Sequence, residues 1–590
     1  MGYAFLMPTQ SLSFRWFFAV LSGALLSACA GAQPPPPAAA GSGDAAFGQF
    51  STAILEDHYK REPSEATDLG IHKYDDQLED LSEGALKAES AALKDFRARL
   101  AALDPATLMP SNALDREQLI HSLDARVLGI DTIKMWAKDP DTYSSDLTNA
   151  AYVIMKRNYA PAADRLKALV AREKKLPAAL EEARKNLTDP VRIYTEIAIE
   201  QIDGNISFFK NDVPAAFADV SDTALLDEFK QTNGEVMAAL GRYKTFLQKE
   251  LLPKATGSFA YGSDTYVKAL SAREAVELPL DRLLQIAEAD RQKNEDALQA
   301  TLKQIDPKKP ADRVMASLQI DHPPASRLLQ TTQDTLDSIR QFIIDHHIIT
   351  IPPSDPATVK ETPPFMRSTT SASMDTPGPF ETAKLQAFYN MTLPDPRKPR
   401  AEQDDYMRNW YYAMTSNVSV HEVYPGHYIQ FLYAKSFPSD VRKVFGANTN
   451  IEGWAHYCEQ MMLDEGFHAG EPKYRLAQLQ DALLRDVRFI VGLKMHTQGM
   501  TVDEATKLFE TQAYQPHPVA VQEAKRGTSD ALYGYYTLGK LMIMKLRDDY
   551  KAKMGQQYSL QGFHDAFIKL GPLPLPLIRK AMLGEVGTLL

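Results

Sequence analysis

Two short runs concentrate the residue types that hold metals and move protons. HEVYPGH at 421–427 and EGWAHYCE at 452–459 bring His421, Glu422, His427, Glu452, His456 and Glu459 into one segment, 419–466. Hydrolytic zinc sites use neutral imidazole and carboxylate as ligands. They also need an open position for water and a carboxylate that can take its proton. His421 and His427 are therefore expected as ligands and Glu422 as the general base. Glu452, His456 and Glu459 stand at i, i+4 and i+7, hence on one face of a helix. Glu452 is the preferred third ligand and His456 the alternative, with Glu459 placed to orient a ligand by hydrogen bonding. Cys458 falls between these positions and is expected to pack in the core.

Helices must carry these groups, and the first run does not suit a regular one. HExxH puts two histidines four apart on one face. Here the spacing is six, about 600° of rotation, which leaves the rings roughly 120° apart on an unbroken helix. Pro425 lacks an amide proton and Gly426 accepts unusual dihedrals, so a bend at Pro425–Gly426 is required to bring His427 back toward His421. Asn417 and Ser419 are expected near the start of this helix.

The flanking sequence reads as mainly α. Helices are expected at 47–61, in the stretch leading to Leu103, and up to a stop at Asp139–Pro140. Another, beginning near 161, should break at Pro177, and further helices are expected over 222–247, 280–302 and 326–345. IITIPPSD at 348–355 suggests a short strand stopped by proline. Prolines, serines and threonines then interrupt 351–402, where KLQAFYNMT suggests a strand at 384–392. A small β element beside a cleft, if it were an edge strand, would suit an extended substrate. Isolated histidines such as His58, His121 and His322 lack ligand spacing and read as structural or surface residues.

The 590-residue chain carries 76 acidic and 65 basic side chains, a net charge of −11, which argues against nucleic acid as a partner. Arg15, a short apolar run and LSAC at 26–29 form a secretory signal over 1–28. Cysteine at the exit resembles a bacterial lipoprotein signal, which implies lipid on Cys29 and a membrane-anchored, exported protein facing the periplasm. Residues 29–46, rich in Pro and Ala, read as a flexible linker. The remaining cysteine, Cys458, leaves no intrachain disulfide to form. The expected organisation is a helical part, 47–350, packed with a catalytic part, 351–590, as one large unit.

HEVYPGHYIQ followed by EGWAHYCEQ resembles the signature of a bacterial family catalogued as domain of unknown function 885, placed among the zincin-like, gluzincin-type metallopeptidases. The likeness begins at EATDLGIHKYDD and runs to the C-terminal region. It implies a large multi-helix zincin-like body binding Zn2+, with Glu422 as the catalytic glutamate. His421, His427 and Glu452 match its ligands. AKRGTSDALYGYYTLGK also resembles the family's C-terminal signature. In it Tyr536 is the preferred oxyanion donor, with Tyr533 and Tyr535 as alternatives; Arg526 suits a substrate carboxylate, and Tyr533 is a further substrate-binding candidate. Arg547 is expected in a structural salt bridge. The expected activity is zinc-dependent cleavage of amide bonds in short peptides of the cell envelope. An amidohydrolase with a non-peptide substrate and a non-catalytic envelope scaffold are the alternatives.

Overall fold

In the computed structural model, residues 41–363, 367 and 370–590 are described. The expected signal segment 1–28, Cys29 and most of the 29–46 linker lie outside them. No described helix is long and apolar enough to cross a membrane.

The amphipathic stretches fold as helices near their expected limits: Asp44–Arg61, Thr223–Phe246, Leu280–Ile305 and Leu328–Asp345. Local chemistry sets the ends. Asp222 caps its helix by accepting from the Leu225 amide. Pro140 opens the helix Pro140–Met155 rather than merely ending the one before, and Asp139 caps it through the Asp141 amide. The break expected at Pro177 falls at Lys174–Lys175, and Pro177 sits in the first turn of Leu176–Asn186, where its missing N–H costs nothing.

Three strands make one small sheet in the order β1-β3-β2, with β1 at Thr358–Glu361, β2 at Ala372–Asp375 and β3 at Phe388–Met391. β3 runs parallel to β1, with Thr358 opposite Phe388, and antiparallel to β2, with Met374 opposite Tyr389. The strand expected at 384–392 is thus shorter and central, and β2 is the strand beside the site. The strand expected in 348–355 does not form. There the Ile348 amide bonds back to Ile343 O at the end of the preceding helix, and Ile348 and Ile349 are buried as loop.

The largest apolar core joins both motif helices (Val420, Tyr428, Trp454, Tyr457) to the sheet at Tyr389 and Met391. A second core fills the helices between Tyr143 and Leu251, and a third joins Phe47–Ile130 to Val441 and Val444. A buried ion pair, Arg442 Nε to Asp115 Oδ1 at 2.5 Å, crosses the same boundary as the third core. The N-terminal segment also grips the loop between β2 and β3. His72 lies 3.1 Å from both Asp75 and Glu381 and stacks on Tyr159 at 3.7 Å. Gly70, at φ +90°, and Gly378 let the two backbones meet where a Cβ would collide.

Candidate metal centre

His421 and Glu422 are the last two residues of the helix Tyr412–Glu422, and His427 is the first of the next, His427–Ala434. The expected bend is therefore a complete break over 423–426. The Gly426 amide folds back onto Val420 O at 3.1 Å, and a Cβ on Gly426 would overlap the carbonyl oxygens of His421 and Val420. Trp454 Nε1, from the second motif, donates to Pro425 O at 2.9 Å and pins the break to the helix Asn448–Asp464. Asn417 and Ser419 sit well inside the first helix, and Asn417 donates to Asp481 at 2.8 Å instead of capping.

The break turns His427 back. His421 Nε2 and His427 Nε2 each lie 3.4 Å from one oxygen, Glu452 Oε2. The rings are 4.8 Å apart and nearly perpendicular. Among the described residues this is the one place where three ligand atoms of this kind lie within 4.8 Å of one another. Glu452 Oε2 is buried and, among the described residues, has no hydrogen-bond partner of good geometry, the two imidazole nitrogens facing it at 3.4 Å. A separation of 3.4 Å is the edge of a tetrahedron with arms of about 2.0–2.1 Å, the length of zinc bonds to imidazole and carboxylate. Two imidazoles and a carboxylate are also a known catalytic zinc set. The residues fit the ion.

Behind the three ligands lies a buried polar layer. Glu459 accepts from His421 Nδ1 at 2.7 Å, which holds the tautomer whose Nε2 lone pair faces the ligand cluster. Glu459 also lies 3.1 Å from Arg485 Nη2 and 3.2 Å from His456 Nδ1. Burial alone would raise Glu459, but Arg485 and His456 hold it well below the usual carboxylate range, so it stays charged. His456 belongs to this layer, bonded to Glu459 and wholly buried, and is not among the three clustered ligands. Cys458 is fully buried between them.

Glu422 lies beside the ligands and against the sheet, where its Oε2 accepts from the Met374 amide of β2 at 3.3 Å. Burial raises its carboxyl, and the opposing charges of His421 and His427 do not cancel the effect. From the other side comes the helix Tyr535–Met554, which crosses Asn448–Asp464 at a glycine pair: a Cβ on Gly453 would stand 2.6 Å from Gly539 Cα. That crossing brings the Tyr536 ring to 6.4 Å from His421. Burial and then the Glu452 carboxylate raise the Tyr536 hydroxyl, which stays protonated. Tyr533 is buried against Gly492 and Gly527, and Tyr535 donates to Asp530 at 2.9 Å. Arg526 lies 6.0 Å from the Tyr536 ring. Arg547 bonds the Tyr457 hydroxyl at 3.2 Å, and among the described residues no carboxylate pairs with it.

Two contributors carried no signal in the motifs. Arg485 is one of two buried arginines in the helix Pro472–Thr497, and only an acidic residue left buried by the second motif could have called for it. The Met374 contribution is a backbone amide, to which residue type is silent.

The family model described as a bacterial protein of unknown function, DUF885, matches residues 63–582. No curated protein matches the sequence. A Shewanella oneidensis protein, described as a candidate lipoprotein of unknown function, is 27% identical with a TM-score of 0.78, over 91% of this chain and 99% of that one. A candidate lipoprotein from Colwellia psychrerythraea has the same fold at 18% identity, with a TM-score of 0.76 over 91% and 98% of the two chains.

Proposed function

We propose that this chain, which belongs to the bacterial DUF885 family, is a zinc-dependent hydrolase of zincin-like fold that cleaves amide bonds of short peptides in the cell envelope. The observation that carries the reading is the convergence of His421, His427 and Glu452 on one point with Glu422 beside them. When bound there, Zn2+ supplies a Lewis acid that polarises a carbonyl and makes water more acidic.

The chain's own residues divide the remaining work. Glu422 takes a proton from the attacking water and returns it to the leaving amine, a task for which its raised proton affinity suits it. Tyr536 keeps its proton and donates a hydrogen bond to the developing oxyanion. Glu459 and Arg485 hold the His421 ring in the ligating tautomer. Among the described residues β2 pairs with β3 alone, so its other edge would offer backbone groups to an extended substrate next to Glu422.

An exported, lipid-anchored, periplasm-facing protein agrees with the signal ending at Cys29 and with the two structural relatives described as candidate lipoproteins.

Zinc content measured beside turnover of a mixed dipeptide and tripeptide library tests the reading. Chelation should abolish turnover and added zinc restore it. Stoichiometric zinc in a folded protein that cleaves no member of the library would overturn it.

A further inference from the structure

Three guanidinium groups surround Tyr536, with Arg485, Arg488 and Arg526 at 5.4, 5.2 and 6.0 Å from its ring centroid. Arg488 is fully engaged by Glu523 through two hydrogen bonds of 2.7 Å. Arg485 is held by Glu459 at 3.1 Å and Asp481 at 3.4 Å, which leaves one nitrogen, Nε, buried and unpaired. Arg526 is different. Its Nη2 donates to Asp530 at 2.9 Å and to the Tyr535 hydroxyl at 3.2 Å. Its Nε and Nη1 are buried and meet no acceptor at good hydrogen-bonding geometry among the described residues, although the Tyr536 hydroxyl lies close to the guanidinium. A buried charged donor without an acceptor is costly, and a carboxylate is the acceptor that guanidinium binds best.

Arg526 is also within substrate reach of the ligands. The Tyr536 ring lies 6.4 Å from the His421 ring and 6.0 Å from Arg526 Cζ, so Arg526 is no more than about 12 Å from His421. An extended chain advances about 3.3–3.6 Å per residue, so that distance spans no more than about three residues.

We infer that Arg526 receives a free carboxylate of the substrate, so that the substrate class is short peptides or related amides ending in a carboxylate within about three residues of the cleaved bond. This rests on the hydrolase reading above. Arg526 then sets specificity by length and terminus, because the same peptide closed as an amide offers one neutral carbonyl oxygen in place of two charged ones and sets an N–H against the other donor.

The test uses matched dipeptides and tripeptides, each as free acid and as C-terminal carboxamide. kcat/KM is measured on the zinc-loaded full chain and Kd by calorimetry on the Glu422→Gln protein. The acid should be preferred about 10- to 100-fold in both, the range of one hydrogen bond to a charged group. Arg526→Gln should erase the preference with zinc content unchanged, and Arg526→Lys, which keeps the charge, should restore part of it. Equal kcat/KM and Kd for acids and amides, or a preference that survives Arg526→Gln, would overturn the inference while leaving the hydrolase reading intact. Acid-selective binding lost in Arg526→Gln, with no turnover by the wild-type chain, would support the carboxylate site and count against the hydrolase reading alone.

Discussion

Among individual residues, the acidic groups around the ligands separate by what each one touches. Glu422 bonds a backbone amide and leaves the ligand atoms to others. Glu422→Gln should therefore retain zinc and thermal stability while losing about 10²- to 10⁴-fold in turnover, as read by metal content beside kcat. Glu459 touches His421 through Nδ1. Glu459→Gln should weaken zinc binding about 10- to 100-fold in a competition titration with a chelator. These candidate roles were legible in HEVYPGH and EGWAHYCE because Glu452, His456 and Glu459 share one helix face, while His421 and His427 flank the Pro425–Gly426 break that a six-residue spacing requires. The choice between Glu452 and His456 was not, since both share one helix face. It turns on which of them meets His427 across the break, a distance between segments rather than within one.

Between elements, the interruption at 423–426 does what a continuous helix could not. Pro425 and Gly426 announced it, but its anchor, the Trp454 bond to Pro425 O, joins two motifs and is written in neither alone. Trp454→Phe removes that bond and part of a fully buried ring, a loss of about 1–3 kcal/mol in unfolding free energy, and zinc occupancy should fall with it. Gly426→Ala drives a Cβ into the His421 carbonyl. Circular dichroism with metal analysis should show destabilisation of about 1–3 kcal/mol and loss of bound zinc. The sheet was harder to anticipate. Its strand order depends on pairings among 358–361, 372–375 and 388–391, and alternation within KLQAFYNMT cannot tell a centre from an edge. Met374→Pro deletes the amide that faces Glu422, and should lower kcat while zinc stays bound.

Over the whole chain, periodicity located most of the helices because each buries one apolar face, whereas the contacts that tie distant parts together depend on single polar residues. His72 is the clearest of these. Burial lowers its proton affinity, but Asp75 and Glu381 raise it more, so the ring is held above the usual histidine value. Protonated His72 therefore stabilises the fold fully below the ordinary histidine pKa, and that contribution fades as pH rises through the raised one. Melting temperatures recorded from about pH 6 to 9 should fall more steeply for the wild-type chain than for His72→Asn. The crossing at Gly453 and Gly539 has a different consequence. It welds the helix that carries Glu452 to the helix that carries Tyr536, backbone against backbone, with no side chain between them to yield. Those two form a fixed jaw. On the hydrolase reading, any adjustment to a substrate must then come from other elements around the site, because these two helices can move only as one unit.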